Sequence, residues 1–464
     1  MVGQGGGGGV SIAEKATPQA QNPAPTLQMG RVVRTWWPLA ASWLLMAAEQ
    51  PAMTAVMARL ADPEINLAAW GGFVYPLSLI IEAPIIMLLS ASTALSRDCE
   101  AYRRLRRFMM RMGAILTLIH ILIAFTPLYY VVTVDILGAP AQVVEPARVG
   151  LMIMTPWTWS IAYRRFNQGV MIRFGHSRAV GAGTLIRLAA DGLVLLIGYL
   201  GGTWPGIVVG SSAIAAGVVA EAIYAGIRVR PVLRDEVSQE TSAEPPMGFR
   251  DFLEFYVPLA LTSLLFLVVQ PIGSAALSRM PDALASLAVW PVVTGLIFIP
   301  RSLGVAYNEV VVALMDEPGA VPTLRRFALL LAVSASALIL LTAATPLASI
   351  WFSRLSALPA RLVPIAVRGL WLSFLLPGLN VLQSWYQGVI LHSRRTRGIT
   401  EALIVFLITT AAALWAGVEW GETTGLYVGL VAFVVGSLAQ AGWLWIRSRP
   451  AIRLAEVGVG ENGA

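Results

Sequence analysis

The chain has 464 residues, 57% of them hydrophobic and only 13% charged, and its formal net charge is +7. Soluble domains carry about 25% charged residues, and here the apolar residues gather in blocks long enough to cross a hydrocarbon core of about 30 Å as helices. A soluble globular protein is excluded, and so is a β-barrel, which needs short alternating segments.

Residues 1–33 open with a glycine run. They lack the apolar core of a cleaved signal and the Gly-Lys-Ser/Thr of a phosphate loop, and they predict a disordered cytoplasmic tail. Twelve transmembrane helices are then predicted near 36–58, 68–95, 108–133, 149–173, 179–200, 204–227, 253–277, 284–312, 327–349, 363–391, 399–417 and 424–446, here called the first to twelfth spans. Six form an N-terminal lobe over 34–228. A polar cytoplasmic linker with three prolines covers 229–250. Six more form a C-terminal lobe over 251–447, and 448–464 reads as a cytoplasmic tail.

Arginine clusters fall at every second junction, as in 97–107, 173–178, 228–234, 324–326, 392–397 and 446–450. The positive-inside rule makes that side cytoplasmic. A multi-pass inner-membrane protein with both termini inside is the expectation. The basic balance is thus topology and the bilayer is its partner; nucleic acid would need one concentrated basic face. Lys15 is the only lysine, which reads as base composition, and Cys99 is the only cysteine, so there is no disulfide framework.

The two halves repeat. Residues 37–62 lie against 257–282 at an offset of 220: Gln50-Pro51 matches Gln270-Pro271, Arg59 matches Arg279, and Asp62 matches Asp282. Trp70 matches Trp290 at the same offset, and Gln168-Gly169-Val170 matches Gln387-Gly388-Val389 at 219. The glycine series 202, 206, 210 matches 421, 425, 429 at 219 as well. Six spans per half is an even number, so the repeat is parallel, about an axis along the membrane normal. Prolines 51, 76, 84, 271, 291 and 300 are expected to interrupt the first two helices of each half, a pointer to a midplane site.

Ionisable residues near the bilayer centre cost at least ~2.5 kcal/mol and normally face a bundle interior or a wet cavity. Glu49, Glu82, Asp191 and Arg301 sit near mid-membrane, Arg187 lies one turn from Asp191, and Arg164-Arg165 occupy the inner half of the fourth span. Glu221, Asn308 and Glu309 lie nearer the cytoplasm. Residues shared by both halves, such as Gln50/Gln270, serve the common fold, and Arg59/Arg279 read as interfacial anchors. Charges that face Val269, Gln383-Ser384, Phe406 and Thr410 in the other half are the functional candidates. A bland reading stands beside each: Arg187 and Asp191 as an i,i+4 pair, Arg164-Arg165 as snorkelling side chains. His120 reads as a packed histidine, and His176 and His392 offer no metal spacing. No nucleophile, base and oxyanion set can be assembled, so an enzyme is not expected.

Two parallel six-helix halves, a cytoplasmic linker and kinked first and seventh helices resemble the MATE-like fold of the multidrug/oligosaccharidyl-lipid/polysaccharide (MOP) flippase superfamily. Within it, Glu49-Gln50, "WWPL" (36–39) and "QPIGSAALSR" (270–279) are similar to the progressive ankylosis (ANK) family. That resemblance implies export of polyvalent anions such as pyrophosphate, citrate or nucleotides; a monomer is the expectation. The expectation is an all-α secondary transporter working by alternating access around a central cavity. Arg165, Arg187, Arg301, Gln50, Gln270 and Asn308 would bind the anionic small molecule. Glu49, Glu82, Asp191 and Glu309 would couple H+ or Na+, with no other cofactor. The rivals are a cation or drug antiporter, in which the acids bind substrate, and a lipid-linked saccharide flippase.

Overall fold

Among the described residues, ten helical stretches are long and apolar enough to cross a membrane: Pro63–Leu95, Cys99–Phe125, Ser177–Gly201, Gly206–Asp235, Arg250–Ser278, Ala283–Leu314, Ala320–Ala344, Val363–His392, Arg397–Trp420 and Gly425–Leu454. The first span (29–57) and the fourth (141–173) complete twelve; both hold ionisable residues in their middles, which lowers their apolarity. This computed structural model describes residues 26–237, 249–393 and 396–461, and no strand occurs among them. The chain is a multi-pass helical membrane protein built as two parallel six-helix repeats.

The kinks follow from proline chemistry. Pro51 has no N–H for the Ala47 carbonyl and its ring crowds that oxygen. The first span accordingly breaks at Ala48, between Met29–Ala47 and Glu49–Met57. Pro271 does the same to Leu267, and the seventh span breaks at Val268, between Phe249–Leu267 and Val269–Ser278. The second span answers Pro76 with a π-helical turn, Trp70–Val74, and breaks again at Met87. The eighth span differs from expectation, because the helix Ala283–Leu314 runs on through Pro291 and Pro300.

That π turn also explains a step in the repeat. A π-bulge inserts one residue into a helix. Before it, Trp70 and Trp290 match at 220; after it, contacts match at 219. A Cβ on Gly169 would press on the Leu89 carbonyl and Ser92, and one on Gly388 would press on the Asn308 carbonyl and Val311. Gly198 against Val209 and Gly417 against Val428 form another such pair. Glu82 lies beyond the bulge, so its counterpart in the second half is Arg301.

The halves meet through pseudo-symmetric contacts on both faces. On the arginine-poor face, the Arg59 guanidinium donates to the carbonyls of Arg354 (2.7 Å) and Leu355 (2.9 Å). Arg279 donates to those of Ile136 (2.7 Å) and Leu137 (3.2 Å). Each arginine also bonds its own helix four residues back, at Ala55 or Ala275. The acceptors end the π-helical turns Val131–Ile136 and Trp351–Leu355, where free carbonyls give a partial negative charge that suits a cation. Arg59 and Arg279 therefore join the lobes. Glu64 and Arg361 add an ion pair across the same face. Toward the other face, Trp36 of the "WWPL" stretch donates to the Leu303 carbonyl (3.0 Å), and Tyr256 donates to that of Pro84 (2.5 Å). The kinked first and seventh helices thus each reach across to the opposite half.

The termini and linker are more helical than expected. The first helix starts at Met29, inside the stretch read as tail, where Leu27 N–H bonds the Pro318 carbonyl (2.7 Å) and Arg31 pairs with Glu317 (2.6 Å). The sixth span continues to Asp235 and the last helix to Glu461, past the ends expected at 228 and 447. The rest of the tail and linker lies outside the described residues.

Candidate functional site

Five spans of the first half turn charged side chains toward one another. Glu49 follows directly on the kink of the first span, where the helix has just been broken at Ala48. Arg187 of the fifth span donates to Glu49, with side-chain exposures of 12% and 14%. Arg164 of the fourth donates to Glu221 of the sixth, at 8% and 1%. Gln168, one turn after Arg164, donates to the other oxygen of Glu221 at 2.8 Å, and Arg187 Nε stands 4.0 Å from Glu221. Two ion pairs are thus linked into one network. Glu82 is buried with Oε2 unpartnered, and the charges acting on it are those of Arg165 and Arg164. Tyr75 stacks on Trp70, 5.4 Å between ring centroids, and lies among Glu49, Glu82 and Arg187.

The i,i+4 reading of Arg187 and Asp191 is not what forms. The Arg187 guanidinium goes to Glu49 instead, and Asp191 is buried with neither oxygen hydrogen-bonded. Arg164, read as a candidate to snorkel, is buried at 6% exposure against Glu221. Arg165 is half-buried, with its Nε unpartnered.

The second half holds a hollow where the first holds this network. A cavity of about 80 Å³ is lined by Gln270 of the seventh span, by Trp290, Thr294 and Arg301 of the eighth, and by Leu430 and Phe433 of the twelfth. Arg301 has no hydrogen bond or ion pair among the described residues, its Nε is buried, and no carboxylate acts on it. The shared glutamines behave differently in the two halves. Gln50 accepts a long bond from the Trp70 indole (3.4 Å), whereas Gln270 and Trp290 make no such bond and both line the cavity.

Of the residues singled out from sequence, Glu49, Arg187, Asp191, Glu82 and Arg165 gather in the first half, while Gln270 and Arg301 share the cavity of the second. Asn308 backs the tenth span through its carbonyl beside Gly388, and Glu309 is exposed. Neither joins the two groups. Of the network partners, Arg164 was among the functional candidates, whereas Gln168, Glu221 and Tyr75 were not. Glu221 carried a signal all the same, as Arg164 did, since both are charges inside apolar helices. Gln168 and Tyr75 carried none.

The sequence matches no protein-family model and no curated protein. The fold is similar to that of solved MOP-superfamily structures. One is an inward-facing multidrug-resistance MATE family transporter, at TM-score 0.69 and 17% identity, covering 92% of this chain and 99% of that one. Another is the lipid II flippase MurJ in an inward closed conformation, at 0.67 and 13%, covering 90% and 92%. A third is a MOP-superfamily transporter from Pyrococcus furiosus Vc1, described by a binding pocket of reverse polarity that suggests a different function, at 0.62 and 15%, covering 93% and 99%. At these identities the likeness is one of fold.

Proposed function

We propose that this chain is a secondary transporter of the inner membrane that exports small organic or inorganic anions by alternating access. The observation that supports this reading is Arg301, a membrane-embedded guanidinium beside a cavity with no carboxylate. A buried cation is expensive unless something neutralises it, and an arriving carboxylate or phosphate does so with the bidentate geometry guanidinium favours. Arg164 and Arg187 of the first half pair with Glu221 and Glu49, which leaves them the task of holding those acids. Glu49 and Asp191 are then the groups that take up the coupling ion. A proton suits Glu49 better than Na+, because Glu49 already accepts a hydrogen bond from Arg187, and Glu221 beside it is held by Arg164 and Gln168, so both are drawn away from any cage of oxygens. A cation antiporter is disfavoured for the same reason. The arginine-rich face is placed in the cytoplasm on the positive-inside rule.

The test is uptake and efflux in proteoliposomes with a panel that includes pyrophosphate, citrate and a nucleotide, the polyanions the ANK-like segments imply. Arg301→Gln should abolish anion movement while the protein still folds, and Asp191→Asn should remove its dependence on a pH gradient. Movement of lipophilic cations with no anion moved would sink the proposal.

A further inference from the structure

The cavity beside Arg301 has one charged residue in its lining. Gln270, Thr294 and Trp290 are its other polar lining residues, the Thr294 hydroxyl donating to the Trp290 carbonyl at 2.7 Å, and Ile297, Leu376, Leu430 and Phe433 are apolar. Trp290 and Phe433 meet edge to face, 5.2 Å between centroids at 66°. In the first half the equivalent positions close on themselves. Gln50 takes the Trp70 indole, and Glu82 stands in the place of Arg301. The second half leaves the same three positions open, with one cation among them.

We infer that this cavity binds a single anionic head, carboxylate or phosphate, whose apolar or aromatic body lies along the Trp290–Phe433 wall. The inference rests on the anion-transport reading and narrows its substrate class to amphiphilic organic anions with one charged end. One guanidinium neutralises about one charge, and a second charge on the ligand would face an apolar wall with no counter-ion. An aromatic body, by contrast, gains from burial against two rings. About 80 Å³ accommodates the head, given that a single water needs roughly 10–15 Å³ of such space. The body must extend along the wall beyond it.

Calorimetry on the purified full chain at about pH 5, where a phosphate monoester carries about one charge, distinguishes the alternatives, with 1-naphthyl phosphate as head plus body, methyl phosphate as head alone, and pyrophosphate as polyanion. Naphthyl phosphate should bind about tenfold tighter than either of the others, through the added aromatic burial. Arg301→Gln should weaken every phosphate by at least about tenfold, as loss of a charge-assisted contact does. Phe433→Ala should weaken naphthyl phosphate alone, by roughly fivefold, and Phe433→Leu repeats the measurement with most of the packing volume kept. Pyrophosphate binding tighter than naphthyl phosphate overturns the inference, and so does a Phe433 variant that binds naphthyl phosphate as well as the wild-type chain. In nanodiscs, competition by phosphatidate that depends on Arg301 assigns the head to a lipid. Binding indifferent to phosphatidate assigns it to a soluble amphiphile. Binding without transport would leave this site standing and sink the transport reading; transport of pyrophosphate without amphiphile binding would do the reverse.

Discussion

Outside the π turn and the Met87 break of the second span, the two halves of the bundle agree in backbone, and they disagree in charge. Kinks fall at Ala48 and Val268. Left-handed turn residues recur at Asp62 and Asp282, at Gly138 and Ala357, and at Gly202 and Gly421. Even the tight glycine contacts recur. A Cβ on Gly217 would stand 1.7 Å from Asp191 Oδ1, and one on Gly436 would stand 2.0 Å from Thr410 Oγ1. At that shared contact one half has a carboxylate and the other a hydroxyl. The same holds for Glu82 and Arg301, for Glu49 and Val269, and for Arg187 and Phe406. Positions that define the helix path are kept, and positions that face the interior carry opposite polarity. Where the first half gathers its interior charges around two linked ion pairs, the second leaves one guanidinium beside a hollow.

This difference predicts opposite responses to removing an arginine. Arg164 is buried against Glu221, and taking one partner from such a pair strands the other charge, at about 3–5 kcal/mol. Arg164→Ala should lower unfolding stability in detergent by that amount, whereas the double change Arg164→Met with Glu221→Leu should recover most of it. Arg301 has no partner to strand, so Arg301→Gln should leave stability unchanged or raise it. Equal destabilisation by both single changes would mean that the halves do not differ in the way described.

A feature the halves share gives the next test. Arg59 and Arg279 make the same three bonds, and each crosses to the opposite lobe. Hydrogen bonds to charged groups contribute roughly 1.5–3 kcal/mol when protected, but these are exposed, so about 1 kcal/mol per arginine is a fair expectation after screening. Spin labels at Asp135 and Ser353, in a chain whose single cysteine is replaced (Cys99→Ser), report separation of the lobes on that face. Arg59→Gln and Arg279→Gln should each shift the distance distribution to longer values, by similar amounts. A shift from only one of them would break the symmetry of the latch.

How much of this was legible in the sequence depends on the kind of interaction. Apolar blocks, arginine junctions and the internal repeat all follow from local pattern, and they lead to the helices and the two halves. The partner of a buried charge depends on how helices rotate against one another. Arg187 had Asp191 one turn away and took Glu49 instead, 138 positions distant in the chain. The equivalence of Glu82 and Arg301 was hidden by the extra residue of the π turn at Trp70–Val74, which shifts the repeat between 220 and 219 with no mark in composition. Prolines were an uneven guide. Those at 51 and 271 break their helices, while 291 and 300 lie within a continuous one, where the rest of the packing holds the helix together.

The smallest expected effect isolates a glutamine that the halves have in common. Gln50 accepts from Trp70 at 3.4 Å, beyond the usual range for a strong N–H···O bond. Its loss in Gln50→Ala should therefore destabilise the fold by less than about 1 kcal/mol, with no change in anion affinity. Gln270 lines the cavity, and its side-chain amide makes no hydrogen bond among the described residues. Gln270→Ala should leave stability unchanged and weaken anion binding severalfold, because an amide donor beside the bound head is gone; neutral hydrogen bonds are worth about 0.5–1.5 kcal/mol. Paired unfolding and binding measurements on the two variants thus assign one amide to structure and its repeat to ligand. If both variants change only stability, or if Gln50→Ala is the one that loses ligand, then the division between a closed first half and an open second half fails at the position where the two sequences are most alike.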